Sequence, residues 1–197
     1  REGIHYFMGG IDTDICHRTS VEGLYASGEC TSLYHGANRL GGNSMLGAVY
    51  GGKAAAEDIL KRFPDEGESV EAEFDIKDAG AFSEPAAPRL IKEISEILLS
   101  GLGIVRNEKM LDECLEKISA LENENRNDRE KARLALASAM LLSAKELRES
   151  RGAHYREDYP ERDEVLRKKT IARLDKGSVS IGFEPLPERG EQNADKA

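Results

Sequence analysis

Apolar positions change their spacing along the chain, and each change marks a different kind of structure. Residues 1–44 carry repeated glycine-rich breaks and no helical period. Segments such as Gly23-Leu-Tyr-Ala-Ser27 there predict short buried strands between turns. From residue 44 the pattern becomes helical and runs to residue 61. Asn43 or Ser44 is expected to cap the first free N–H groups of this helix. Gly47, Gly51 and Gly52 each cost about 1 kcal/mol relative to alanine inside a helix. Keeping them there predicts close backbone packing, and hence a helix deep in the fold.

Residues 63–88 are acidic, contain three prolines and lack a period, so they predict a linker or surface excursion. Three helical stretches follow. The first, 89–99, places Leu90, Ile94, Ile97 and Leu98 on one face. The second, 108–121, does the same with Leu111, Cys114, Leu115, Ile118 and Leu121. For 128–149 the reading takes Leu136, Met140 and Leu147 as the stripe, with Ala132, Ala139 and Ser143 filling it. Short connections between one-sided helices predict antiparallel neighbours and a small three-helix bundle. Residues 151–163 are dense in charge and aromatic rings with no apolar face. Residues 169–174 and 179–183 flank Asp175-Lys-Gly-Ser178 and predict a hairpin. The expected organisation is an α/β domain part at 1–62, a linker at 63–88 and a helical bundle at 89–150. A charged loop and hairpin at 151–187 and a polar tail at 188–197 complete it.

Charge narrows the partners. The net charge of −9 argues against nucleic acid, because phosphate binding needs a basic footprint. No apolar run approaches the roughly 20 residues that span a bilayer. The three cysteines, Cys16, Cys30 and Cys114, have no CxxC spacing and suit a reducing compartment. Four histidines without ligand spacing make no case for a metal. The chain begins at Arg1 and reads as a piece of a longer protein.

Two segments carry chemistry. In Gly23-Leu-Tyr-Ala-Ser-Gly28-Glu29 an acid follows a strand end at once, where open α/β sheets bind ligands. Such a carboxylate either accepts hydrogen bonds from sugar-type hydroxyls or is an ordinary surface glutamate. In His35-Gly-Ala-Asn-Arg39-Leu-Gly-Gly-Asn-Ser44-Met45 a glycine-rich turn ends in a helix N-terminus, a place suited to anionic oxygens. Gly41 and Gly42 leave room for a planar ring, and Arg39 offers a fork of donors suited to a carboxylate.

That second run resembles the HGANRLGGNSL signature of the succinate dehydrogenase/fumarate reductase flavoproteins, with Met45 in place of the usual leucine. His5-Tyr-Phe-Met-Gly-Gly10 is similar to the family's HYxMGG segment. Ser150-Arg-Gly-Ala-His-Tyr-Arg-Glu-Asp-Tyr-Pro160 is similar to its SRGAHYREDYP segment. The resemblance covers roughly residues 1–62 and 127–185. It implies the latter part of a two-dinucleotide-fold FAD domain, followed by an α-helical domain and a terminal β-hairpin. It further implies that His5 and Arg39 bind the carboxylates of a C4 dicarboxylate. Glu29 would bind the FAD ribitol, and Asn43, Ser44 and Met45 would face the flavin ring. His35 is expected to order its loop, and Arg151, His154 and Arg156 to brace the helical domain against the flavin domain. The family's pyrophosphate loop and proton donor have no counterpart in these residues, so the chain alone is expected to be inactive.

The implied reaction is hydride transfer between flavin N5 and fumarate or succinate. An iron–sulfur subunit or other electron donor would be the partner, and the place cytoplasmic or peripheral at the inner face of a bacterial membrane. An L-aspartate oxidase is the enzymatic rival. Arg39-Leu-Gly-Gly42, where that relative more often has Arg-Met-Ala-Ser, and Ala153 after Arg151-Gly152 lean towards fumarate and succinate. A non-catalytic helical module docking on an iron–sulfur partner is the alternative of a different class.

Overall fold

The computed structural model describes residues 5–64, 85–124 and 126–186. These residues divide into two compact units, 5–64 and 85–186. Most of the expected linker, residues 65–84, and the expected tail lie outside the described residues.

In the first unit, residues 5–42 follow an irregular path pinned by single bridges, Ile11 to Thr31 and Arg18 to Tyr25. The strand expected at 23–27 shrinks to the second bridge, with Ala26 buried and Leu24 exposed. Gly23 at φ 78° and Gly28 at φ 77° explain this. Both are left-handed turns, so too few residues stand between them for a ladder to extend. The chain then makes a short 3-10 turn, Gly28–Cys30, and enters helix α1, Asn43–Arg62.

Helix α1 corrects two expectations. Neither Asn43 nor Ser44 caps it: the cap position is Gly42 at φ 83°, which has no side chain to offer. Nor is the helix buried deeply, since only Gly51, Ala55 and Asp58 are buried while Met45 is 72% and Val49 68% exposed. Residues 5–42 cover only one stripe of it. On that stripe the close packing is real, because a Cβ on Gly51 would stand 2.6 Å from His17 Cε1. Around Gly52 the same construction meets nothing within 4 Å. Further along, Asp58 accepts from Arg18 Nε at 2.7 Å and again from Arg18 Nη2. Tyr25 donates its hydroxyl to the same carboxylate at 2.8 Å. Arg18's hydrogen bonds hold the Asp58 carboxyl well below the usual range.

In the second unit, helices α2 (Pro88–Gly101), α3 (Glu108–Glu122) and α4 (Asp128–Glu146) share one apolar core. Each start is written locally. Proline occupies the first turn of α2, and Asn107 accepts from the Met110 amide at the head of α3. Asn127 and Glu130 form a capping box on α4. Glu130 also accepts from the Ala87 amide at 3.0 Å, so one carboxylate ties the starts of α2 and α4 together. The faces expected for α2 and α3 are the buried ones, around Leu90, Ile94, Ile97, Leu111, Cys114 and Ile118.

For α4 the expected face is wrong. The buried stripe is Leu134, Ala137, Leu141 and Ala144, while Leu136 is 63% exposed and Met140 half-buried. Apolar residues stand on several sides of this helix, so two stripes compete. The stripe that meets the core of α2 and α3 is the one carrying Leu134 and Leu141.

The charged loop after α4 is stitched to the helix ends by buried cations. Arg156 is fully buried and donates to the Ala144 and Lys145 carbonyls at 2.9 and 3.0 Å, satisfying the last turn of α4. Its other edge grips Asp158 at 2.8 and 2.7 Å. His154 donates from Nε2 to the Leu147 carbonyl and accepts at Nδ1 from Arg106 at 2.8 Å. Burial, then Arg106 and Arg156, push its pKa down. Arg151 pairs with buried Glu149 at 2.8 and 2.9 Å. The expected brace is therefore a brace of the helical unit itself, with these partners all inside it. Strands β1 (Lys168–Asp175) and β2 (Ser178–Pro185) form the expected hairpin and lie against α4. Lys176 and Gly177, at φ 47° and 84°, make its two-residue turn.

Two outcomes follow from these contacts. Gly51→Ala gains about 1 kcal/mol of helix propensity but overpacks a fixed His17 at a cost of about 1–3 kcal/mol. Thermal melting should show it destabilised, and Gly52→Ala stabilised. Arg156 and the Glu108 amide hold the Asp158 carboxyl down to about 2. A depressed folded-state pKa gives stability that is complete above the unfolded value and lost as pH falls through the folded one. Acid titration from about pH 4 to 2 should therefore unfold the wild type more steeply than Asp158→Asn, which lacks that linkage.

Candidate functional site

Two of the expected site residues, Glu29 and Arg39, contact the short segment His5-Tyr6-Phe7. The Phe7 amide donates to Glu29 Oε1 at 2.9 Å, fixing the segment to the Gly28–Cys30 turn. The Tyr6 ring lies beneath Arg39, whose guanidinium carbon stands 4.3 Å from the ring centroid. Glu29 and Arg39, distant in sequence, thus both touch the segment that carries His5. His5 itself is exposed.

Arg39 donates from Nη1 to the Leu40 carbonyl at 3.3 Å, and its Nε is buried with no hydrogen-bond partner. A buried cationic donor without an acceptor is costly, and an anionic oxygen is the group that relieves it. Beside it in sequence, α1 begins with no side-chain cap, so the amides of its first turn, at Ser44 and Met45, lack an intrahelical acceptor. A Cβ built on Gly41 or Gly42 meets nothing within 4 Å, which leaves open space before that turn.

Aromatic and imidazole rings support this arrangement, and sequence reasoning missed their part in it. The Tyr6 hydroxyl shares a 2.9 Å hydrogen bond with His35 Nε2. Tyr34 stands edge-on to His35 and bonds through its hydroxyl to His17 Nε2. Buried His17 donates from Nδ1 to the Ala26 carbonyl at 2.7 Å. Gly47 on α1 has space for nothing larger than a methyl against Tyr34 and His35. Tyr6 sits inside a quoted motif, so a signal existed; Tyr34 and His17 carried none. A depression of about 260 Å³ lined by Arg18–Tyr25 and Arg62 shares no residue with this cluster. Its one buried ion pair is already spent on Asp58.

The residues present fit part of a flavin nucleotide. Uncapped helix amides suit the electron-rich edge of the ring, and Glu29 has an oxygen left to accept from a sugar-type hydroxyl. Among the described residues, no cluster of His, Cys, Asp or Glu suits a metal ion. No described helix is long and apolar enough to cross a membrane.

Comparison with known proteins agrees. The FAD binding domain family matches residues 1–45, and the fumarate reductase flavoprotein C-terminal family matches residues 129–190. The L-aspartate oxidase of Pyrococcus furiosus is 37% identical over 87% of the chain and 34% of that protein. The succinate dehydrogenase flavoprotein subunit of Bacillus subtilis is 34% identical over 86% of the chain and 34% of that protein. A solved E. coli quinol fumarate reductase chain superposes with a TM-score of 0.73 at 30% identity, covering 94% of this chain and 37% of that one. The site and these matches define a flavoprotein with FAD as its cofactor. The chain belongs to the succinate dehydrogenase/fumarate reductase flavoprotein family, a family of FAD-dependent oxidoreductases. It spans about a third of the length of the curated relatives it matches.

Proposed function

We propose that this chain is the latter part of an FAD-dependent oxidoreductase that binds a C4 dicarboxylate beside the flavin and interconverts fumarate and succinate. FAD, when bound, supplies the hydride donor or acceptor at N5. Arg39 presents its guanidinium fork to one carboxylate of the substrate, and His5 takes the other. The amides of Ser44 and Met45, with Asn43 at the head of the turn, face the pyrimidine edge of the ring, and Glu29 holds the ribitol. These residues bind and orient; the proton donor lies elsewhere in the protein. The observation that carries the reading is the buried, unpartnered Nε of Arg39, stacked on Tyr6 in the segment that also bears His5. An iron–sulfur subunit is the proposed electron partner, at a cytoplasmic or membrane-peripheral location.

L-aspartate oxidation is the second reading. Its support is specific: the Pyrococcus furiosus and Pyrococcus abyssi relatives, 37% and 40% identical, are L-aspartate oxidases. Arg39-Leu-Gly-Gly42 leans the other way. Assays on the full-length protein separate the two. Fumarate-dependent oxidation of a reduced dye supports the first, and L-aspartate-dependent reduction of the flavin supports the second.

Under either reading Arg39→Lys keeps the charge and loses the fork. A charge-assisted hydrogen bond contributes about 1.5–3 kcal/mol, so KM should rise roughly tenfold or more. The turnover number should fall through misplacement, while FAD content stays near that of the wild type. Full turnover with unchanged affinity would rule out the assignment. Loss of flavin alone would make Arg39 a structural member of its loop.

A further inference from the structure

We infer that Tyr6, held by His35, is a positioning residue that sets the plane and place of the Arg39 fork; the inference rests on the dicarboxylate reading of Arg39. Arginine has many rotamers, and a fork that is to meet a carboxylate edge-on must be confined to one of them. Arg39 has little hydrogen bonding to confine it: one contact of 3.3 Å from Nη1 to its neighbour's carbonyl, and a buried Nε with no acceptor. What confines it is the ring face of Tyr6, 4.3 Å from the guanidinium carbon. Stacking holds the flat cation by its face and leaves its edges for in-plane bonds.

The ring is in turn prevented from swinging. His35 Nε2 shares a 2.9 Å hydrogen bond with the Tyr6 hydroxyl, and the two rings meet edge to face at 5.2 Å. His35 packs against Tyr34 at 6.4 Å, and Tyr34 against His17 at 5.3 Å. His17 is fixed by the Ala26 carbonyl and by the bare backbone of Gly51 on α1. A ladder of rings therefore refers the position of Arg39 to the same helix whose uncapped amides would hold the ring edge of the flavin. Tyr6 needs no contact with substrate to do this.

The test is a double-mutant cycle on the full-length, FAD-loaded protein, reading the dissociation constant of malonate, a dicarboxylate that does not react, by calorimetry. FAD content is measured for each variant. Tyr6→Leu should weaken malonate roughly three- to thirty-fold in the wild-type background. In the Arg39→Ala background it should change affinity by less than about twofold, because the residue it acts through is gone. Tyr6→Phe keeps the face and loses the tether, so a smaller loss is expected, again vanishing with Arg39→Ala. Where Tyr6→Leu fails to load FAD, the Tyr6→Phe cycle decides. Losses that add in full in both backgrounds, or wild-type affinity in Tyr6→Leu, overturn the positioning role. Unchanged malonate binding in Arg39→Ala alone overturns the dicarboxylate reading itself, and this role with it.

Discussion

A guanidinium taken out of water must find acceptors for its N–H donors, and the two units of this chain meet that constraint in opposite ways. Arg156 is fully buried and has them: two carbonyls from the last turn of α4 on one edge and the Asp158 carboxylate on the other. A satisfied buried cation of this kind is an internal strut, since nothing is left for a ligand to gain. Around it the charged loop, the end of α4 and the start of α3 acquire their fixed relation, with Asp158 also accepting from the Glu108 amide. Arg39 is the contrary case, with a buried Nε and no acceptor for it. Arg39 as a whole is half-buried with the Tyr6 ring face against it, and the unmet hydrogen bonding of its Nε suits it to an anion.

The helices of the second unit were legible from their apolar spacing, and the caps that start two of them, which the sequence reading passed over, are equally local. Asn107 and Asn127 cap through their own side chains, and the Asn127-x-x-Glu130 spacing is a capping box in the sequence itself. The α4 face was not legible, because Leu136 and Met140 offer as good an apolar stripe as Leu134 and Leu141 until neighbouring helices choose. Choosing is settled by the partners, since Leu134 and Leu141 pack into the core of α2 and α3 while Leu136 stays exposed. The strand at 23–27 failed for a different reason. Two left-handed glycines, which read as mere boundaries, set its length below that of a ladder. In the candidate site, the motifs drew attention to the charged Glu29 and Arg39, while the packing of Tyr34 and His17 carried no signal. Charge has a chemical meaning in one dimension, whereas the stacking of Tyr6 on Arg39 exists only after folding.

Glycines in α1 show how packing and chemistry share one helix. Gly51 is small because His17 stands where its Cβ would be, whereas a Cβ on Gly47 would meet Tyr34 and His35 at ordinary contact distance. Gly42, left-handed at the cap position, begins the helix without placing a side chain over its first amides. A serine or aspartate there would stabilise the helix by about 1 kcal/mol and would occupy those amides itself. Leaving them bare forgoes that stability, which is the usual relation between a binding site and its scaffold.

Grip on carboxylates selects a class of substrate rather than one reaction. Fumarate, succinate and aspartate all carry a carboxylate that a fork such as Arg39 would meet alike, so under the proposed reading the grip of Arg39 does not by itself separate reduction of an alkene from oxidation of an amine. What differs is the group on the adjoining carbon. An ammonium near a guanidinium in a water-poor site meets a repulsion that a carboxylate-only substrate does not, and at short range this amounts to several kcal/mol unless a counter-charge offsets it. Under the proposed reading, selection between the two reactions would turn on charge compensation at that carbon. The residues that hold the carboxylates can stay the same while the chemistry changes.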